Sequence, residues 1–300
     1  MFYLDCDTGI DDALAIALLL AYDDVTLAGI GTVNGNTSAA RAAANTLGLL
    51  ALAGRGDIPV AVGDGGYRGG AAHVHGGNGV GGVVLPPGAP PDRRTAVELL
   101  LDLARAHPGQ LHVLATGPCT NLAGALRAEP RLPALVAAVT VMGGAVRVPG
   151  NVGRRAEANI ADDPAAAAAV LAAPWPVTLV PLDVSMNHRW SEVDVTRLRG
   201  GGTPLVTALA GMLPVYFDSY EPRLGERRIP LHDPLAAALA TGELAAADAP
   251  ELGLRVDLEA GRVAEDPAAP ARTRVVLALD RPAGPVILRR ILGGARRAAG

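Results

Sequence analysis

The segment Phe2-Tyr3-Leu4-Asp5-Cys6-Asp7-Thr8-Gly9-Ile10-Asp11-Asp12 sets four carboxylates within eight residues, between an apolar strand-like start and the helical run from Ala13 to Leu20. Strand side chains alternate, so Asp5 and Asp7 share one side of the extended backbone, while Asp11 and Asp12 open the following helix, whose N-terminus favours negative charge. The carboxylates therefore converge beyond the C-terminal end of a strand. So much like charge at one turn demands a cation. Oxygen-only ligation by several carboxylates suits a hard ion, and a roomy, charge-rich site favours calcium over magnesium; zinc would want His or Cys partners.

Half of the 300 residues are apolar, enough for a large core, and the length is read as one α/β domain over residues 1–300. A net charge of −4, with no basic stripe and no interleaving of basic and aromatic residues, argues against nucleic acid or an anionic membrane as the partner. A small molecule is expected instead. Cys6 and Cys119 each lie in an apolar strand-to-loop segment, so two buried thiols in a reducing compartment are expected rather than a disulfide scaffold. The acidic cluster stands where a signal peptide or presequence would carry basic and apolar regions, so the expected location is cytoplasmic. Ala13 to Ala21 is too short to span a bilayer and reads as a buried helix.

Strand-like runs at Phe2-Asp5, Val25-Thr32, Ile58-Val62, Leu111-Ala115, Ala138-Met142 and Val177-Pro181 alternate with helical stretches near 11–22, 37–53, 94–107, 121–128 and 164–173. This alternation predicts a Rossmann-like fold, a mostly parallel central sheet flanked by helices, with its active site at the C-terminal ends of the strands. Six of the eight Asn residues fall in post-strand segments or in the Gly-rich stretch around Asn78: Asn34, Asn36, Asn121, Asn151 and Asn159 are the others. Each alone is explained by turn formation. Together they suggest a polyol-binding set.

Residues 63–90, rich in Gly and Pro and carrying His73, His75 and Asn78, predict a long loop or flap. Residues 186–230 read as helical with Gly and Pro breaks and include Trp190, Tyr216 and Tyr220. A helix follows with Asp233 as its N-cap and Pro234 in the first turn. The last quarter reads as strands Leu252-Leu258, Arg262-Val263 and Thr273-Leu279, then a helix over 284–296. His232-Asp233 joins a group that titrates near neutrality to a fifth carboxylate. A calcium site collects six to eight oxygens from distant segments, so Asp233 is weighed with Asp7 and Asp12, and the Thr116 carbonyl at a strand end is well placed to complete the set.

These residues resemble the calcium-dependent nucleoside hydrolases that prefer inosine and uridine. The DxDxGxDD pattern is Asp5 to Asp12, VxGN is Val33 to Asn36, HGxxG is His75 to Gly79, and TGxxTN is Thr116 to Asn121. The MGG…GN…AExN…DPxAA stretch runs from Met142 to Ala166, and His232-Asp233-Pro234 completes a collinear match over residues 2–240. The resemblance implies that Asp7, Asp12, Asp233 and the Thr116 carbonyl hold Ca²⁺. It implies that Asp11, Asn36, Asn151, Glu157 and Asn159 bind the ribose, with Met142 beneath the sugar and Asp5 supporting from behind. An extended Glu157-Ala158-Asn159 would turn both polar side chains to one side.

The implied reaction is hydrolysis of the N-glycosidic bond to free base and ribose. A calcium-bound water loses a proton to Asp7 and attacks the anomeric carbon. His232 protonates the leaving base, with His75 or Tyr220 as supporting contacts. The family is commonly dimeric or tetrameric, so a homodimer or homotetramer is expected. Thr8 stands where the family usually has Pro, and Ala158 where Phe is common, which would widen the pocket near the ribose 5′ end. Purine-specific relatives stack the base between Trp side chains; Trp175 and Trp190 lie outside the motifs, so an inosine-uridine or pyrimidine preference is expected. Two rivals remain open. A haloacid-dehalogenase-like phosphatase also begins with DxD, but wants Thr or Val where Gly9 stands and usually a Lys, and this chain has none. A non-catalytic nucleoside-binding or ribose-binding protein would keep the same contacts without turnover.

Overall fold

The computed structural model describes residues 1–63 and 70–298. Apolar strand runs, each followed by an amphipathic or apolar helix, give the first half of the chain its order: β1 (Phe2–Cys6), α1 (Ile10–Leu20), β2 (Leu27–Thr32), α2 (Ala39–Leu52), β3 (Val60–Val62), α3 (Ala72–His75), α4 (Ala96–Ala106), β4 (Leu111–Ala115) and α5 (Thr120–Ala128). Strands β5 (Val136–Met142) and β6 (Val177–Val180) follow. The sheet has eight strands in the order Glu251–Leu252, Thr273–Val275, β6, β5, β4, β1, β2, β3. Every pairing is parallel except that of the edge strand Glu251–Leu252.

The chain winds outward from β1 through β2 to β3, then returns to β4 on the other side of β1 and winds the opposite way. The strand order therefore reverses between β1 and β4, which is where ligands bind in open α/β sheets. Register aligns the ends there, with Asp5 opposite both Gly31 of β2 and Ala115 of β4.

Two cores follow from the alternation along β1. Leu4 and Cys6 join the core built with α1 and the helices Pro204–Leu224, His232–Ala240 and Ala283–Ala298, whereas Tyr3 points into the core under α4, α5 and the helix Pro164–Ala172. α1 is apolar almost all round, and ten of its eleven residues are buried, which its Ala, Leu and Ile content allows. Among the described residues no helix is long and apolar enough to cross a membrane.

Several expectations shift. The stretch 186–230 is not helical throughout: Arg189–Ser191 and Arg228–Pro230 pair as an antiparallel ribbon that brackets the helices Glu192–Arg199 and Pro204–Leu224. The run expected as Leu252-Leu258 breaks at Gly253 into Glu251–Leu252 on the main sheet and Leu254–Val256 paired with Val263–Glu265. A Cβ at Gly253 would stand 2.3 Å from the Asp266 carbonyl oxygen, so the chain crosses closely there. Thr273-Leu279 likewise divides into Thr273–Val275 and Ala278–Leu279. The N-cap of the helix His232–Ala240 is Leu231, which places Asp233 in the first turn with its carboxylate relieved of capping. Of the flap expected over 63–90, residues 64–69 lie outside the described residues; beyond them α3 carries His75, and Asn78 ties the loop through the N–H groups of Val80 and Gly82 and the carbonyl of Val83.

Trp190, in the ribbon, is fully buried and donates from Nε1 to the Gly284 carbonyl at 2.9 Å, fastening the ribbon to the final helix. Trp190→Ala is expected to cost about 3–5 kcal/mol of unfolding free energy in urea titration, from the cavity and the carbonyl left unpaired.

Candidate active site

Beyond the end of β1, Asp7 accepts from the Asn36 backbone N–H at 2.6 Å and from Asn36 Nδ2 at 3.1 Å. Asn36 follows β2, so two adjacent strand ends fix this carboxylate. Gly35 makes the approach possible: a Cβ there would lie 2.0 Å from Asp7 Oδ2. Asp5 faces inward from β1, where Asn121 Nδ2 donates to its Oδ1 at 2.8 Å and also to the Thr32 carbonyl. Burial raises the Asp5 carboxyl to about 7 despite that bond.

Asp11 and Asp12 begin α1, and Asp233 reaches them from the first turn of its own helix. One oxygen from each of these three buried residues lies within 4.8 Å of the others, an arrangement that could hold a metal ion. Asp12 accepts from the Gly9 N–H at 2.8 Å and from the Thr116 hydroxyl at 2.7 Å. Asp11 Oδ2 accepts from the Tyr216 hydroxyl at 2.9 Å, while its Oδ1 is buried without a hydrogen-bond partner. Burial and the neighbouring Asp11 raise Asp12 to about 6; burial, then Asp12, raises Asp7; burial, then Asp11 and Asp12, raises Asp233. Crowded carboxylate oxygens, one of them orphaned, fit a hard cation. Asp7 stands beside the trio on the Asn36 side.

The Thr116 carbonyl, expected to complete the ligand set, accepts from Asn159 Nδ2 at 2.8 Å, and the same amide reaches the Met142 carbonyl at 3.1 Å. Thr116 thus reaches the cluster through its hydroxyl, while its carbonyl keeps a second lone pair beside the Asn159 bond. Glu157 is extended as expected, but Ala158 and Asn159 are helical: Glu157 caps the helix Ala158–Asp162, accepting from Asn159 N and Ile160 N, and it also receives Gly144 N at 2.9 Å. Burial nevertheless raises its carboxyl to about 7. Asn151 accepts from Ala158 N at 3.0 Å. The apparent polyol set divides: Asn36, Asn151 and Asn159 stand at the cleft, whereas Asn34 caps α2 through Ala39 N, Asn78 ties its loop and Asn121 holds Asp5.

A cleft of about 180 Å³ opens over Asp7, Asn36, Asn151, Asn159 and Tyr220. His73 and Arg223 stand at it as well. Arg223 lies over the Tyr220 ring at 5.7 Å; an exposed Arg near a helix end carries no sequence signal that would single it out. Tyr216 and Tyr220 meet edge to face with centroids 4.9 Å apart, and both hydroxyls point toward chemistry, Tyr216 to Asp11 and Tyr220 to His232 Nε2 at 3.0 Å. His75 Nδ1 accepts from the Ile10 N–H at 3.1 Å, so its neutral ring carries hydrogen on Nε2. Burial depresses His75 to about 4 and, with His75 adding, His232 to about 3. His232 is therefore neutral near pH 7 rather than titrating there. Ser185, which no motif marks, approaches His232 Nδ1 at 2.8 Å.

The family model of the inosine-uridine preferring nucleoside hydrolases matches residues 2–283. Over 248 residues the chain is 37% identical to the pyrimidine-specific ribonucleoside hydrolase RihA of Salmonella arizonae, covering 78% of this chain and 77% of that protein. The RihA of Shewanella woodyi is 36% identical with the same coverage. Among solved structures, the purine-preferring ribonucleoside hydrolase from Gardnerella vaginalis superposes with a TM-score of 0.92 at 30% identity over 99% of both chains. A plant nucleoside hydrolase gives 0.90 at 27% identity, covering 97% of this chain and 98% of that one. A match over nearly the whole chain, on a sheet whose reversal point carries the acidic cluster, means that this chain belongs to the inosine-uridine preferring nucleoside hydrolase family of N-ribohydrolases.

Proposed function

We propose that residues 1–300 form one nucleoside hydrolase domain that cleaves the N-glycosidic bond of ribonucleosides, with Ca²⁺ held by Asp7, Asp12, Asp233 and the Thr116 carbonyl and with Asp11 adjoining. The observation that carries the reading is the buried convergence of Asp11, Asp12 and Asp233 beside Asp7, faced by the hydroxyl-imidazole pair Tyr220–His232. When bound, calcium orients a water and makes it more acidic. Asp7, fixed by Asn36, takes a proton from the attacking water as its oxygen bonds to the anomeric carbon. The pair of electrons in the carbon–nitrogen bond leaves with the base, which takes up the Tyr220 hydroxyl proton while His232 Nε2–H bonds to the phenolate left behind; the proton that Asp7 took from water returns to Tyr220 through solvent as products leave. General acid or base help is worth about 10²–10⁴-fold, so positioning of the sugar by Asn36, Asn151, Glu157 and Asn159 and stabilisation of the cationic ribosyl group by carboxylates must supply the rest.

Family membership removes the phosphatase rival, and retention of both Asp7 and His232 favours turnover over mere binding. An inosine-uridine or pyrimidine preference fits both the RihA similarity and the placement of the Trp residues. Trp175 bonds Val170 and Trp190 bonds Gly284, so neither is a wall of the cleft.

Uridine, cytidine and inosine incubated with the protein are expected to release reducing sugar, with adenosine slower. Chelation should stop release, and Asp7→Ala should lower it by roughly 10²–10⁴-fold. Ribose release that survives both treatments would sink the proposed mechanism. A second expectation concerns pH. Asp12 is raised from 3.8 to about 6, so its ionisation costs folding stability progressively as pH rises through that window, and a bound cation offsets the cost. The gain in melting temperature on adding calcium should therefore grow from about pH 5 to about pH 7. A gain that shrinks over this range would contradict the assignment of Asp12 as a ligand.

A further inference from the structure

We propose that Ser185 is a positioning residue for departure of the base, holding the His232 ring in one orientation and one tautomer through Nδ1, so that Nε2 presents its hydrogen to Tyr220. The inference rests on the hydrolase reading above and deepens it.

Ser185 is fully buried at the end of the short helix Leu182–Ser185, which follows β6 directly, so its hydroxyl is placed by the sheet rather than by a loose loop. Its Oγ lies 2.8 Å from His232 Nδ1, and the Tyr220 hydroxyl lies 3.0 Å from Nε2 on the opposite edge of the ring. Rotation of the imidazole would break both bonds. Direction along this chain follows from hydrogen-bond satisfaction. In a neutral imidazole one nitrogen donates and the other accepts. Among the described residues, His232 is the only side-chain or backbone group bonded to the Ser185 hydroxyl. Were Ser185 to accept from Nδ1, its own hydrogen would be sealed in the interior unpaired; donating to Nδ1 leaves only the Tyr220 hydrogen to place, and Tyr220 lines the cleft. Nδ1 is thus the acceptor and Nε2 carries the hydrogen, directed at Tyr220 Oη.

The consequence reaches the cleft. With its oxygen already accepting from Nε2, Tyr220 is free to turn its O–H toward a bound base, and Tyr220 is a wall of the cleft. In the other tautomer Nε2 would take the Tyr220 hydrogen, and the pair would offer the leaving base no donor. Ser185 is not a wall of the cleft and its hydroxyl meets His232, so it acts through the ring.

The test compares uridine, whose base needs a proton to leave, with 4-nitrophenyl β-D-ribofuranoside, whose leaving group departs as a stable anion. Ser185→Ala is expected to lower kcat on uridine roughly 10–100-fold with KM changed less than about twofold. It should keep activity on the nitrophenyl riboside within about threefold, and it should add no further loss in a His232→Ala background. Equal loss on both substrates would mark a merely structural role and overturn the proposal. Independently of turnover, ¹⁵N-histidine labelling resolves the six imidazoles, with His232 assigned by its loss in His232→Ala. The wild type should hold hydrogen on Nε2 of His232, and Ser185→Ala should mix the tautomers; hydrogen on Nδ1 in the wild type would overturn the assignment. Failure of the wild type to cleave either riboside would defeat the hydrolase reading itself, while the tautomer measurement still judges the Ser185 contact.

Discussion

Mutual repulsion among buried carboxylates at the junction of β1 and α1 is the constraint to which the rest of the molecule answers. Asp7, Asp11, Asp12 and Asp233 are all buried, and burial raises each of their carboxyls. Donors from separate segments hold three of the four: Asn36 after β2 for Asp7, Thr116 after β4 for Asp12, and Tyr216 from a long helix for Asp11. The positive end of the α1 dipole helps, but one helix terminus offsets only a fraction of so much charge. The all-oxygen cluster of Asp11, Asp12 and Asp233 could hold a metal ion that would supply the remainder.

Precision comes from the elements that carry these groups. α1 is among the most buried helices and also bears Asp11 and Asp12, so the packing that stabilises the fold fixes the site. The helices His232–Ala240 and Pro204–Leu224 pack on α1, bringing Asp233, Tyr216, Tyr220 and His232 into range. Sites on such rigid elements hold geometry more tightly than loop-borne ones. The two carboxylates at the edge of this arrangement, Asp5 and Glu157, are tied to Asn121 and to backbone N–H groups, so they stiffen strand ends and the Ala158–Asp162 helix.

Much of this was legible in the chain. Alternating apolar strands and helices gave the parallel sheet, because each period matches one type of element, and the post-strand polar residues marked its ligand-binding edge. The roles of individual amides were less legible. Asn34, Asn78 and Asn121 look no different in sequence from Asn36 and Asn159, since an Asn that caps, ties a loop or binds a sugar obeys the same local preferences. The helix that begins at Ala158 is not legible in the sequence, because its cap by Glu157 depends on where the backbone of Ile160 and Gly144 falls. The ribbon of Arg189–Ser191 with Arg228–Pro230 is not legible in the sequence, because its strands are three residues each and are separated by two helices.

The sequence by itself determined the acidic cluster, the alternation that sets it at a strand end and the collinear motifs that name the family, because these are local or ordered features of the chain. Only the tertiary structure decided which three carboxylates meet, that His232 is buried and neutral, and that Ser185 and Tyr220 clasp its two nitrogens. Ionisation and hydrogen-bond direction depend on solvent exclusion and on partners brought from 12 and 47 residues away, and no local pattern encodes either.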